Sequence, residues 1–287
     1  MHREYDEETL KRVQELELRI FKEFIQICEE NKLTYWVYGG TQIGVLRHEG
    51  FIPWDDDIDV ILPRADYEKF LEIANRTLSD RYNIINAENY ENCPLVTTWL
   101  SLKGTTFVQE SMQSIKHIPF GIFLDIYPFD NAHDDDRLMR KQAREAWFWG
   151  KLLILRCVAK PYVNTSQWKR KIIHIVTACI HYAMRLFKIS SKYLYMKSKN
   201  ASMRYNHIET KRMGYFCDTK YDTSLYSMNE IYPLQDKKFE DIMVKFPNNP
   251  HQNLTVLYGD YMQMPPIEKR KNHFPFQLDF GMYGKQE

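Results

Sequence analysis

The sequence predicts an α/β fold: a mixed sheet flanked by helices, with a basic helical insertion. Three observations predict it. Short β-branched and aromatic runs alternate with longer stretches of apolar residues at helical spacing. Two apolar runs, 57–62 (DIDVIL) and 122–127 (IFLDIY), are continuous enough to be buried strands. Charge is also segregated. Residues 151–212 hold 14 Lys or Arg and one acid, Glu209, for a balance of +13, under a chain total of only +1.

The elements follow in order. Residues 7–31 carry Leu10, Val13, Ile20, Phe21, Phe24, Ile27 and Cys28 near helical spacing, so they form an amphipathic helix. Tyr35 to Tyr38 is a short strand ended by Gly39-Gly40. Thr41 is expected to cap a short helix over 44–47, and Pro53 breaks the chain. DIDVIL is the next strand. A helix follows from near Asp66, with Tyr67, Phe70, Leu71, Ile73 and Ala74 on its apolar side. Residues 82–86 and 95–109 give further strands, and 122–127 another, bounded by Gly121 and Pro128. Residues 136–160 read as helix and 168–212 as one or two basic helices. The last 75 residues read as loop-rich, with Pro233, Pro247, Pro250, Pro265, Pro266 and Pro275. The expected organisation is a core over 1–150, the insertion over 151–212, and a segment over 213–287 that packs back on the core.

Composition removes several classes. Hydrophobic residues are 44% and aromatics 14%, which excludes general disorder. No apolar run reaches the ~18–20 residues that span a bilayer. The charged N-terminus does not resemble a secretory leader. Cys28, Cys93, Cys157, Cys179 and Cys217 are odd in number and lack a CxxC, so free thiols in a reducing compartment are expected. These points together give a cytoplasmic expectation, with a peripheral position at the inner face of the membrane as its variant.

The chemistry concentrates in Pro53 to Leu62. Four carboxylates, Asp55, Asp56, Asp57 and Asp59, run straight into an apolar strand. Strand side chains alternate, so Asp57 and Asp59 share a face with Cα atoms about 6–7 Å apart. Two carboxylates so placed can hold Mg²⁺ or Mn²⁺. Asp55 has the same parity and is either a third ligand or a loop residue. An EF-hand is excluded, because Val60 and Asp66 stand where that loop needs Gly and Glu. Asp125, alone in a second apolar strand, is the further candidate ligand. Gly39-Gly40-Thr41 lies between a strand and a helix, where backbone N–H groups can approach a phosphate. GxGxxG and GxxxxGK[ST] are both absent, so Rossmann and P-loop readings do not apply.

A glycine turn, a helix and an acidic DxD strand follow the layout of nucleotidyltransferases. The run from Tyr38 to Asp59, YGGTQIGVLRHEGFIPWDDDID, resembles the signature of the LicD family, which is similar to the fukutin group. The resemblance continues through Pro63 to Phe70, and resumes at Asp125-Ile126-Tyr127-Pro128-Phe129-Asp130. It returns at Phe239-Glu240-Asp241, at Tyr258-Gly259-Asp260-Tyr261-Met262, at Pro265-Pro266, and from Arg270 to His273. Gln42-Ile43 departs from the two apolar residues usual there.

The resemblance implies a nucleotidyltransferase-like core and a metal-dependent transferase. Such an enzyme moves a phospho-alcohol, phosphocholine or similar, from a CDP-activated donor to a hydroxyl of a glycan or lipid-linked glycan at the cell surface, and releases CMP. It implies Asp57, Asp59 and Asp125 as metal-binding and catalytic residues. It places Gly39, Gly40 and Thr41 at the donor phosphates, with Arg47 and Arg64 as basic residues that hold phosphate or pair with nearby aspartates. Lys103, at a strand end, is a further phosphate candidate, and His273 a candidate base or acceptor contact. A choline donor also calls for aromatic rings; Tyr35, Trp36, Trp54 and Trp99 are available, without an assignment. Residues 168–189 combine apolar residues with Lys169, Arg170, Lys171, Arg185 and Lys188, which suits either an anionic membrane surface or a helix covering the domain. No nucleic-acid motif accompanies the basic region, so a nucleic-acid partner is not expected. The alternatives are a DxD glycosyltransferase using a nucleotide-sugar, and a non-catalytic membrane-surface module.

Overall fold

Two parallel strands at the centre of a mixed sheet position everything that follows. The computed structural model describes residues 5–161, 163, 165–218, 220–270 and 272–284. Helix α1 (Glu7–Glu30) is capped by Asp6, whose carboxylate accepts from Thr9 N–H at 2.8 Å, and it buries Val13, Leu16, Ile20, Phe21 and Phe24. Then come β1 (Trp36–Val37), α2 (Gly39–His48), β2 (Asp59–Pro63), α3 (Arg64–Thr77), β3 (Tyr82–Ile85), β4 (Thr98–Leu102), β5 (Thr106–Val108) and β6 (Phe123–Ala132). Three helices follow, α4 (Asp136–Cys157), α5 (Gln167–Leu186) and α6 (Ser191–Ser202). The chain continues with β7 (Arg212–Tyr215), β8 (Ser224–Ser227), α7 (Met228–Ile231), β9 (Gln235–Phe239), β10 (Ile242–Phe246), α8 (His251–Tyr258) and β11 (Gln277–Asp279).

The main sheet runs β1-β2-β6-β4-β3, with β7 beside the far half of β6 and β8 beside β7. β2 and β6 are parallel; the other pairings are antiparallel. The α/β expectation holds, and several local expectations are corrected. The strand predicted to stop at Pro128 continues to Ala132. Pro128 is tolerated because β4 pairs only with Phe123 to Ile126 and β7 only from Asp130, so the missing N–H falls in the gap between them. α3 begins at Arg64 rather than near Asp66, whose carboxylate instead accepts from Thr34 N–H at 3.0 Å. The C-terminal 75 residues are more ordered than their prolines suggest, since β7 and β8 complete the main sheet. α4 crosses residue 150 without a break and carries the chain from the core into the basic insertion.

Arg64 and Asp130 fasten α3 to β6. Arg64 Nε donates to Asp130 Oδ1 at 2.9 Å and Nη2 to Oδ2 at 2.7 Å, a bidentate pair. Both side chains are buried, and Asn206 Nδ2 donates to Asp130 Oδ1 at 2.7 Å. Removing one partner strands the other charge in a poor solvent. Arg64→Met should therefore lower unfolding free energy by about 3–5 kcal/mol in a urea titration; a loss below ~1 kcal/mol, the surface-pair range, would show that the pair carries no structural weight.

Candidate active site

The site forms where the glycine-led start of α2 meets the leading ends of β2 and β6. The parallel register places Asp59 opposite Asp125 on neighbouring strands. Backbone bonds lock this corner. Tyr38 N–H donates to Asp59 O at 2.9 Å, and Asp125 N–H to Ile58 O at 3.1 Å. Asp59 N–H donates to Thr41 Oγ1 at 2.9 Å. Thr41 is therefore not the helix cap expected from the sequence: α2 already starts at Gly39, behind Tyr38, and the hydroxyl serves β2 instead. Asp57 precedes β2 rather than lying on it, so strand alternation is not what brings it close to Asp59.

The two glycines are required by the carboxylates. Gly39 has φ +54°, and a side chain there would meet Asp59 Oδ2 at 3.2 Å and Tyr258 Oη at 3.1 Å. A side chain at Gly40 would meet Asp55 Oδ2 at 2.9 Å. Asp55 and Asp59 thus lie against the first turn of α2, where free N–H groups and the helix dipole favour negative charge.

The three aspartates before β2 divide their roles. Asp56 is fully buried and accepts from Tyr5 Oη and from His273 N–H, each at 2.6 Å. It ties both ends of the chain to the loop. Asp57 Oδ2 is 3.0 Å from His273 Nδ1. One ligand atom from each of Asp55, Asp57 and His273 lies within 4.8 Å of the other two, a spacing that suits a metal ion.

The electrostatics follow from crowding. Burial raises the pKa of Asp55 well above the carboxylate range, and Asp57 and Asp56 push it further. Burial likewise raises Asp59, with Asp57 and Asp125 adding to the effect. Burial pushes Asp125 up to about 7, while the polar groups of Thr97 and Trp99 beside it pull it back. Asp57 is the exception: burial would raise it, but the His273 imidazolium holds it below the usual value. Reciprocally, Asp57 raises His273 well above an ordinary histidine. Asp125 Oδ1 is buried without a hydrogen-bond partner among the described residues.

Asp57, Asp59, Asp125, Gly39, Gly40, Thr41 and His273 are brought together. The three expected phosphate cations are engaged elsewhere. Arg64 is held by Asp130. Arg47 stands at the other end of α2 from Gly39, about 12 Å along the axis, and donates to Tyr261 O at 2.8 Å. Lys103 lies four residues beyond Trp99, the partner of Asp125 in β4, and its Nζ donates to Ser79 O at 2.5 Å. The side chains of Tyr35, Trp36 and Trp99 are core residues, and Trp54 is covered by Arg270, whose guanidinium carbon is 4.2 Å from the ring centroid.

Sequence reasoning missed two contributors. Glu17 is fully buried on α1 with both oxygens unpartnered among the described residues, and burial and then Asp57, Asp56 and Asp55 raise its pKa well above the normal range. Its trace in the sequence is an acid within the apolar stripe Val13, Ile20, Phe24. Tyr258, on α8, is the other, placed against Gly39 and near Asp59.

Comparison with known proteins agrees with this geometry. Residues 32–151 match the family model described as LicD/FKTN/FKRP, nucleotidyltransferase domain. That span contains the glycine turn, the aspartate loop and Asp125. The chain is 29% identical over 279 residues to the lipopolysaccharide cholinephosphotransferase LicD of Haemophilus influenzae, covering 92% of this chain and 96% of that protein. Shorter matches reach uncharacterised proteins of Rickettsia typhi (31% over 75 residues) and Rickettsia prowazekii (28% over 90 residues), of which the chain spans 24% and 34%. The signature residues gathered at one corner of the sheet lie inside the span that resembles the LicD/FKTN/FKRP nucleotidyltransferase domain.

Proposed function

We propose that this chain is a metal-dependent transferase that moves phosphocholine from CDP-choline to a hydroxyl of a lipopolysaccharide or related glycan precursor and releases CMP. The observation that carries the proposal is the convergence of Asp55, Asp57, Asp59 and Asp125 on the start of α2. It is supported by similarity along nearly the whole chain to a protein named for cholinephosphate transfer to lipopolysaccharide.

The residues present fit a hard divalent cation such as Mg²⁺ or Mn²⁺. The donors of Asp55, Asp57, Asp59 and Asp125 are all carboxylate oxygens, their mutual repulsion leaves the cluster short of positive charge, and the buried Asp125 Oδ1 has no partner among the described residues. Asp57, Asp59 and Asp125 would hold the ion, with Asp55 and His273 beside Asp57. A cation there supplies neutralisation of donor phosphate charge and acidification of the acceptor hydroxyl. The first turn of α2 presents backbone N–H groups of Gly39, Gly40 and Thr41 to the donor phosphates. The Asp57 carboxylate raises His273 well above an ordinary histidine, which favours orienting that carboxylate over serving as the base. Arg270, stacked on Trp54 with a buried Nε unpartnered among the described residues, supplies a guanidinium beside the aspartate loop.

A cavity of about 490 Å³ adjoins the cluster, lined in part by Thr97, Tyr127, Tyr215, Val158 and Pro161. Thr97 and Tyr127 lie beside Asp125. The rings of Tyr127 and Tyr215 meet edge-on with centroids 5.1 Å apart. Aromatic walls next to carboxylates suit a quaternary ammonium, so these two tyrosines replace the rings considered from sequence as the choline contact.

The direct test is CMP release from CDP-choline by the purified chain with Mg²⁺ and lipopolysaccharide acceptor. Asp57→Asn and Asp59→Asn should each lower kcat by at least ~10²-fold while the fold persists, the scale seen when one electrostatic contributor is removed. Turnover of a nucleotide-sugar in place of CDP-choline, or wild-type rates in both variants, would overturn the proposal. Tyr127→Leu should reduce the preference for CDP-choline over CDP-ethanolamine by about 5–30-fold, because a cation–π contact of ~1–2 kcal/mol is lost; an unchanged ratio would place choline elsewhere.

Stability should also depend on pH in a defined direction. Asp125 has a folded value of about 7, against about 3.9 unfolded. Its contribution is fully present below its unfolded value and is lost as pH rises through 7. Asp55 and Asp59 are shifted in the same direction. The Tm of cation-free protein should therefore fall as pH rises from about 5 to 8, and Asp125→Asn should flatten the fall. A Tm that rises over that range would contradict the burial of these acids.

A further inference from the structure

Helix α5 (Gln167–Leu186) is packed on one side only. Its buried residues are Thr177, His181 and Met184, spaced for a single face. That face is fixed by hydrogen bonds back to the α4 end: Thr177 Oγ1 donates to Ala159 O at 3.0 Å, and His181 Nδ1 pairs with Leu155 O at 2.9 Å. The opposite face carries Trp168, Ile172, Ile175, Cys179, Tyr182 and Leu186, which recur every three or four residues and form one stripe. These side chains are out in solvent: Trp168 is 63% exposed, Ile175 65% and Leu186 78%. Across its 20 residues the stripe is about 30 Å long. Scattered exposed apolar residues are ordinary, but a continuous stripe of this length is not.

The charges beside the stripe indicate what covers it. At helical spacing, Lys169 lies on one flank, and Lys171 and Arg185 on the other. The first turn of α5 contains no acid, and Lys169 and Arg170 sit there, where the helix dipole already places positive charge. Ser166, at the N-cap, makes no side-chain cap bond. In water this end is electrostatically unfavourable, and an external anionic surface relieves it. The surrounding insertion, 151–212, carries +13. No single helix among the described residues is long and apolar enough to cross a membrane, and α5 with its continuation is bent by 106°. This combination describes a helix that lies in an interface rather than one that spans it.

We propose that α5 docks the protein on an anionic lipid surface, with the Trp168–Leu186 stripe inserted at the headgroup boundary and the flanking Lys and Arg residues on lipid phosphates. The cavity beside the carboxylate cluster is lined by Val158 and Pro161, and His174 of α5 pairs with Pro161 O at 3.1 Å. Docking through α5 thus sets that cavity within about a helix diameter, ~10 Å, of the surface from which a lipid-linked acceptor would come.

The test is co-sedimentation of the full chain with vesicles of phosphatidylcholine alone, and of phosphatidylcholine with 30% phosphatidylglycerol as a trial composition of about that anionic fraction. Binding to the anionic vesicles is expected, weakened by salt. Ile175→Glu/Leu186→Glu and, separately, Lys169→Glu/Lys171→Glu/Arg185→Glu should each reduce the partition coefficient at least about 10-fold, given ~1 kcal/mol per basic residue near such a surface. These positions are exposed, so circular dichroism and Tm should be unchanged, as should activity on a soluble acceptor. Absence of binding at millimolar lipid, equal binding by both variants, or a wild-type dimer that Ile175→Glu/Leu186→Glu converts to monomer without any lipid binding would each overturn the proposal. Since lipid binding is read without turnover, its failure is distinguishable from failure of the proposed chemistry.

Discussion

Repulsion among carboxylates confined to one buried corner is the constraint that organises this molecule. Asp55, Asp57, Asp59 and Asp125 raise one another's energy, and Glu17 adds a further acid from α1. Such a cluster persists only if the surrounding fold restrains it. The restraints come from far apart in the chain. Tyr5 and the His273 backbone hold Asp56, Gln14 Nε2 donates to Asp55 O at 2.8 Å, and Thr41 holds the start of β2. The parallel register of β2 and β6 then sets Asp59 beside Asp125. A positively charged histidine and the positive end of α2 offset part of the repulsion. The remainder suits the corner to the cation and the donor phosphates of the proposed reaction.

Much of this was legible locally. DIDVIL read as a strand because its apolar residues leave no other place for them than the core. Gly39-Gly40 read as a close-approach site between a strand and a helix; they open α2, and a side chain at either would meet Asp59 or Asp55. Asp125 was legible as an acid in an otherwise apolar run. What the sequence obscured was long-range. That Arg64 would be claimed by Asp130 depends on α3 starting one residue after β2 and on β6 continuing past Pro128. The fates of Arg47 and Lys103 depend on carbonyls in Tyr261 and Ser79. Glu17 was hidden because one acid in a helical stripe resembles a pattern defect until the partner loop is seen. Thr41 was misjudged because its hydroxyl meets a strand 18 residues on rather than its own helix.

The two charge regions correspond to two kinds of surface. The acidic loop is enclosed by the sheet, α1 and the C-terminal segment, and it takes its character from burial. The basic insertion is built the opposite way. α6 packs on α4 and buries Leu194, Tyr195 and Ala201, whereas α5 presents its larger apolar side outward. Arg64 and Asp130 bridge the two regions, since Asp130 also receives Asn206, just beyond α6. The site and the exposed helix are therefore linked through β6 and α4.

The central claim is that the carboxylate corner is a divalent-cation site. Electron paramagnetic resonance of Mn²⁺ titrated into the full chain tests it without any substrate. Loss of the free Mn²⁺ signal on binding to wild type is expected, with competition by Mg²⁺ and at least about tenfold weaker binding in Asp57→Asn/Asp59→Asn, a difference of ~1.4 kcal/mol. Mn²⁺ binding of equal strength in wild type and the double variant, or none in wild type at millimolar Mn²⁺, would contradict it.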